Sequence, residues 1–194
     1  MTMRRRARAG IIAAATAFTA LLLAAIAYAT TVPDVLYDPP LLEFTDRYQH
    51  ATGEDLTVTK QGPHYVFANP NGVVRHPKSD PGCDKNYSTA FKCPVKGVER
   101  LILRLRGADD RARVDLGSRA RSVKQLVLGG VGVDVLRGAA GRQVLKGGSE
   151  NDRLRGGRGN DKLRGGPGND LLVGGRGVDD CKGGPGKDVL RGCE

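Results

Sequence analysis

The amino-acid sequence predicts an all-β protein whose carboxyl-terminal third is a parallel solenoid of flattened coils, preceded by a small irregular β region. Three observations carry this reading. From Gly129 onward the chain can be written in rows of nine without an insertion: GGVGVDVLR, GAAGRQVLK, GGSENDRLR, GGRGNDKLR, GGPGNDLLV, GGRGVDDCK, GGPGKDVLR and a final GCE. The eighth place of each row holds Leu136, Leu145, Leu154, Leu163, Leu172, Cys181 and Leu190, and the sixth holds Asp134, Gln143, Asp152, Asp161, Asp170, Asp179 and Asp188. Finally, 28 glycines, no tryptophan and 5% aromatic residues in 194 describe a chain that buries little bulky apolar surface, which argues against a thick globular core.

The elements follow in chain order. Residues 1–29 read as a signal peptide: Arg4, Arg5, Arg6 and Arg8 precede an apolar run over residues 11–26, and Ala27, Tyr28 and Ala29 form a small-x-small cleavage site. About 16 apolar residues fall short of the roughly 20 that span a bilayer, so no transmembrane anchor is expected and the mature chain is secreted. Loss of those four arginines lowers the formal charge from +10 to +6, which permits polyanion binding without demanding it. Residues 30–54, with Pro33, Pro39 and Pro40, read as a linker in which residues 41–48 can make a helical turn or two. Residues 55–97 hold short strands, at 55–59, 64–68 and 72–75, set between glycine and proline.

Four cysteines suit an oxidising address, and closing the shortest loops pairs Cys83 with Cys93 and Cys181 with Cys193. No Cys-x-x-Cys spacing exists and His50, His64 and His76 are scattered, so a zinc site has no support. Residues 98–128 are degenerate lead-in coils. Leu101, Leu103 and Leu105 alternate with Arg100, Arg104 and Arg106 as a strand buried on one face, and Val114, Leu116, Val123, Leu126 and Leu128 continue an irregular stack. Residues 107–110 look like a degenerate turn of the same roll, with Asp109 and Asp110 read as solvated turn residues and a ligand role as the alternative.

Residues 129–194 are the solenoid proper. Paired glycines with a third at place four allow positive φ and tight turning. Places seven to nine then form a three-residue strand whose central side chain points inward. Two rows make one coil of 18 residues, so rows n and n+2 lie over one another at about 4.8 Å in each of two sheets. Stacking also brings the place-six carboxylates of successive coils together, and their repulsion is relieved only by a cation between them. Carboxylates with turn carbonyls make a hard-oxygen site that suits calcium (Ca2+) better than magnesium, which demands a tighter octahedron.

A tandem GGxGxDxUx pattern over Gly129 to the carboxyl end resembles the RTX (hemolysin-type) calcium-binding nonapeptide repeat, a parallel β-roll. The resemblance implies metal-binding pairs Asp134 with Asp152, Asp152 with Asp170 and Asp170 with Asp188 on one edge and Asp161 with Asp179 on the other, hence about four calcium sites. It makes Asp170 a member of two pairs and Asp134 of one. Gln143 replaces an aspartate, which weakens or empties the site it would share with Asp161, and Glu150 departs from the place-four glycine.

No His-Glu-x-x-His helix or Gly-x-Ser-x-Gly elbow is present, so the chain does not read as an enzyme. Two functions remain. The first is a secreted calcium-binding protein whose repeats fold on extracellular calcium. The second is a cell-surface or matrix protein that binds an acidic cell-wall polymer or polysaccharide through a basic ladder, Lys146, Arg164 and Lys182, at place nine of alternate rows. No aromatic platform accompanies that ladder, so no specific nucleic acid is expected as partner.

Overall fold

The computed structural model describes residues 34–38, 41–45, 53–70, 83, 89–118 and 122–194. The signal peptide expected over residues 1–29 and the strand expected at residues 72–75 lie outside the described residues. Among the described residues fifteen strands follow one another: β1 (Asp34–Asp38), β2 (Leu41–Thr45), β3 (Asp55–Gln61), β4 (His64–Ala68), β5 (Ala90–Pro94), β6 (Arg100–Gly107), β7 (Arg111–Asp115), β8 (Lys124–Val131), β9 (Val135–Arg137), β10 (Gln143–Ser149), β11 (Arg153–Arg158), β12 (Lys162–Arg164), β13 (Leu171–Arg176), β14 (Asp180–Lys182) and β15 (Val189–Arg191). Among the described residues there is no α-helix, and none therefore that could cross a membrane.

From β6 onward the chain alternates between two sheets, one ordered β1-β2-β6-β8-β10-β12-β14 and the other β15-β13-β11-β9-β7-β3-β4-β5. All pairs along the roll are parallel, and the register is one coil of 18 residues: Leu145 lies over Leu163 and Leu163 over Cys181, while Leu136 lies over Leu154, Leu154 over Leu172 and Leu172 over Leu190. The solenoid expected from the nine-residue rows is therefore the fold. Its core is thin because each coil contributes one inward side chain per sheet, with Leu136, Leu145, Leu154, Leu163 and Leu172 fully buried.

The glycines divide their work differently from the sequence reading. In the seven full rows positive φ falls at places two and four, as at Gly166 (128°) and Gly168 (149°) in row five, but not at place one. Gly165, at place one, is required by crowding: a Cβ there would stand 2.0 Å from Asp170 Oδ2 and 2.6 Å from the Gly183 carbonyl oxygen. The first glycine of a row thus makes room for the carboxylate five residues later.

The lead-in coils keep this geometry with other residues. Arg106 and Ala108 take positive φ (79° and 72°) at the positions that lie over Gly130 and Gly132 of the following coil. The coil from β6 to β8 holds 24 residues, since Leu101 lies over Gln125 and Leu103 over Val127. Leu126 and Leu128, expected in the stack, point outward and are half-buried; Val127 and Gln125 point inward. The reason is phase, because Val127 sits 18 residues before Leu145 and occupies place eight of a row that begins upstream of Gly129.

Residues 34–38 and 41–45 correct the expected linker and helical turn. They form an antiparallel pair, and β2 adds in parallel to β6. An open roll leaves the N–H and C=O groups of its first strand unpaired, and pairing with β2 satisfies them better than an isolated helical turn can. The other sheet is finished by antiparallel β3, β4 and β5, where Phe67 and Phe91 stack with ring centroids 4.8 Å apart. Both disulfides form as expected, Cys83 to Cys93 and Cys181 to Cys193. The second holds the last residues across the final coil, where Glu194 N–H donates to the Asp179 carbonyl at 2.8 Å.

Candidate metal centre

Place six is where a row leaves its turn for its strand, and the alternation between sheets sends successive rows to opposite edges of the roll. On one edge the backbone N–H of Asp134 donates to Asp152 Oδ1 (2.9 Å), that of Asp152 to Asp170 Oδ1 (2.8 Å) and that of Asp170 to Asp188 Oδ1 (3.0 Å). On the other, Gln143 N–H donates to Asp161 Oδ1 and Asp161 N–H to Asp179 Oδ1, both at 2.8 Å. The structure thus brings together the residue pairs that the repeat implied, in two files running along the roll.

One file extends further than the rows did. Asp110 N–H donates to Asp134 Oδ1 (2.9 Å), and Glu54 N–H donates to Asp110 Oδ1 (2.6 Å). Asp110 is fully buried, which overturns the solvated-turn reading; Asp109 stays exposed, with its Oδ1 accepting Val133 N–H at 2.8 Å. The two aspartates separate because Asp110 stands at place six of a row, Leu105 to Arg113, in which only one glycine survives. Asp134 therefore has a carboxylate neighbour on both sides, as Asp170 does. The usable signal was its phase, Asp110 being one place before a strand, but the 24-residue coil hid it.

Each carboxylate spends one oxygen on these bonds and keeps the other in reserve. Oδ2 of Asp134, Asp152, Asp161, Asp170 and Asp179 is buried and accepts no hydrogen bond. Burial raises the Asp134 carboxyl from 3.8 to about 7; the Asp110 N–H opposes this, and the charges of Asp152, Asp109 and Glu150 add to it. Burial likewise raises Asp152 and Asp161 to about 6, against the backbone N–H each accepts and with the next carboxylate of the file pushing the same way. Asp170 moves in the same direction for the same reasons. A buried anion with an unused oxygen facing a second buried anion is an arrangement that a cation stabilises and water-free protein does not.

The residues fit a hard divalent cation in donor chemistry. Among the described residues no three His, Cys, Asp or Glu side chains converge, so a cation held between two coils would have to draw on two carboxylates and on backbone carbonyls of the glycine turns. Gln143 shows the contrast: its Nε2 donates to the Ala140 carbonyl at 3.0 Å, a donor that no carboxylate offers, and the edge above it carries the buried amide of Gln125 in place of a carboxylate.

A second feature of the turns was not read from the sequence. Side chains at place five form an exposed file of opposite sense, in which Asn151 Oδ1 accepts Asn169 N–H (2.7 Å), Asn169 Oδ1 accepts Lys187 N–H (2.8 Å) and Asn160 Oδ1 accepts Val178 N–H (3.2 Å). The recurrent Asn at this place was the available signal. The basic ladder is in register, Lys146 beside Arg164 and Arg164 beside Lys182. Its centre is neutralised, because Arg164 makes a two-pronged pair with Asp180 (3.0 and 2.6 Å), whose carboxyl it holds below the ordinary value.

The family model of the RTX calcium-binding nonapeptide repeat (4 copies) matches residues 128–163, 146–181 and 158–190. Nothing matches among the curated proteins or the solved structures.

Proposed function

Because residues 128–190 are RTX calcium-binding nonapeptide repeats, we propose that this chain is a secreted, non-catalytic protein whose roll folds when it meets extracellular calcium. The observation that carries the proposal is the set of buried Oδ2 atoms with no hydrogen-bond donor, at Asp134, Asp152 and Asp170 in one file and at Asp161 and Asp179 in the other. Calcium held between successive coils supplies the positive charge and the oxygen-seeking coordination that these atoms lack. The chain's own residues do the rest. Place-one glycines let each carboxylate lie against the turn, place-six N–H groups fix one oxygen so that the other faces the neighbouring coil, and place-eight leucines close the dry side. Without a cation the facing carboxylates repel, and a core of one leucine per coil and sheet is thin against the entropy of ordering residues 129–194. Metal affinity then becomes folding free energy.

Secretion is supported by the two disulfides and the amino-terminal pattern of residues 1–29. The test is circular dichroism of the mature chain titrated with calcium and then with magnesium, joined to hydrogen exchange of the Leu154, Leu163 and Leu172 amides. Protection of those amides should arise with calcium in the range of roughly 10⁻⁴ to 10⁻³ M typical of extracellular modules. Equal, strong protection in excess chelator would overturn calcium-coupled folding.

A further inference from the structure

The turns on one side of the roll flank an open channel of about 760 Å³ lined by five arginines and one carboxylate, Asp115. Arg113, Arg137 and Arg155 stand in register on three successive strands, β7, β9 and β11, and form one wall. Arg158 and Arg176, in register one turn apart, form the other. The remaining lining is of small residues, Gly138, Ala139, Ala140, Gly157 and Gly175 among them, so no bulky side chain rises between the walls. Arg113 lies 3.7 Å from Asp115, while Arg137, Arg155, Arg158 and Arg176 are exposed and have no carboxylate within 4.0 Å among the described residues. This is the reverse of the Lys146, Arg164 and Lys182 ladder, whose central guanidinium is already spent on Asp180.

We propose that this channel binds a linear acidic polysaccharide lying along the roll axis. Four guanidinium groups without counter-ions repel one another and gain most from a ligand that carries several anions at fixed spacing. Successive coils rise by about 4.8 Å, comparable with one sugar ring of an extended chain, so the wall offers one two-pronged donor per sugar. A floor of small residues admits a flat ring edge-on. Single-stranded nucleic acid is the poorer fit, because none of the lining residues is aromatic and bases find no stacking surface. The proposal rests on the calcium reading only in needing the roll folded.

The experiment is isothermal titration of the mature chain with a heparin oligosaccharide of defined length, at one buffered free-calcium concentration, with circular dichroism of every sample. Arg137→Gln/Arg155→Gln should weaken binding about tenfold and lower the salt dependence by about two ions. Lys146→Gln/Lys182→Gln removes equal charge from the other sheet and should change affinity by less than about twofold. Should the glutamine pair fail to fold, Arg137→Lys/Arg155→Lys keeps the charge but not the fork, and a weakening of several-fold is expected from it. Equal losses in the two glutamine pairs would reduce the effect to net charge and overturn the channel, as would no binding by wild-type chain that dichroism shows to be folded. Tighter binding of a thymidine oligonucleotide than of heparin would overturn the polysaccharide assignment. A roll that is folded and binds heparin equally in chelator would leave the channel standing and defeat calcium-coupled folding instead.

Discussion

Acid should partly replace calcium. In the metal-free roll Asp134 is pushed to about 7 and Asp152 and Asp161 to about 6, from 3.8, chiefly by burial. A carboxyl raised in the folded state binds protons more tightly there than in the unfolded chain, so its contribution is fully present below the unfolded value and is lost as pH rises through the folded one. At pH 7.5 each of these aspartates therefore opposes folding by about 3 to 4 kcal/mol, together on the order of the whole stability of a small domain. Near pH 5 the folded carboxyls are protonated while the unfolded ones remain largely ionised, and about half of that opposition is gone. The assay is far-ultraviolet circular dichroism in chelator from pH 7.5 to 4.5, repeated in millimolar calcium. The β signal in chelator should rise as pH falls through 7 to 5, and the increment from calcium should shrink over the same window because metal and proton compete for the same oxygens. A chelated chain that is equally unstructured at both ends of the range, or equally folded at both, would refute the electrostatic account of the switch.

Five substitutions test the coil geometry. Glu150 holds a left-handed φ of 81° at place four and adds charge beside Asp134 and Asp152; Glu150→Gly should stabilise the roll by about 1 kcal/mol and lower the calcium midpoint. Gly165→Ala should cost about 2 to 4 kcal/mol in calcium, measured by thermal unfolding, because its Cβ collides with Asp170 Oδ2 and a facing carbonyl, whereas Gly62→Ala, with open space around it, should cost about 1. Asp134→Ala and Asp170→Ala should shift the calcium midpoint by similar amounts, since each has a carboxylate neighbour in both adjoining coils; a much smaller effect at Asp134 would remove Asp110 from the working file.

The rows from Gly129 were legible because a solenoid repeats its environment, so the same place must solve the same problem in each coil: Leu172 and Leu154 face one dry interior, Asp170 and Asp152 one edge. The lead-in coils were not, although they obey the same rules. Leu105, Arg106 and Ala108 occupy positions that glycine holds later, and the long coil before Val127 breaks the frame, so no period survives to align Asp110 with Asp134. The closing strands were hidden for a different reason. β2 and β5 are defined by the edges they cover, and an edge becomes visible only when the sheet is assembled.

The two files of side chains in each turn bear on why aspartate is used at all. If place six existed only to accept a backbone N–H from the neighbouring coil, asparagine would serve, as it does at place five, where Asn151 and Asn169 make the same kind of bond on the exposed side. Place six is buried, and there an amide should be favoured still more strongly over an ion. Gln143 places one there: its backbone N–H keeps the bond to Asp161 and its Nε2 donates to the Ala140 carbonyl, while its uncharged Oε1 is buried without a donor. Yet Asp134, Asp152, Asp161, Asp170 and Asp179 keep a buried carboxylate whose second oxygen accepts no hydrogen bond. Structure alone gains nothing from that oxygen; its use begins when a cation lies between the coils.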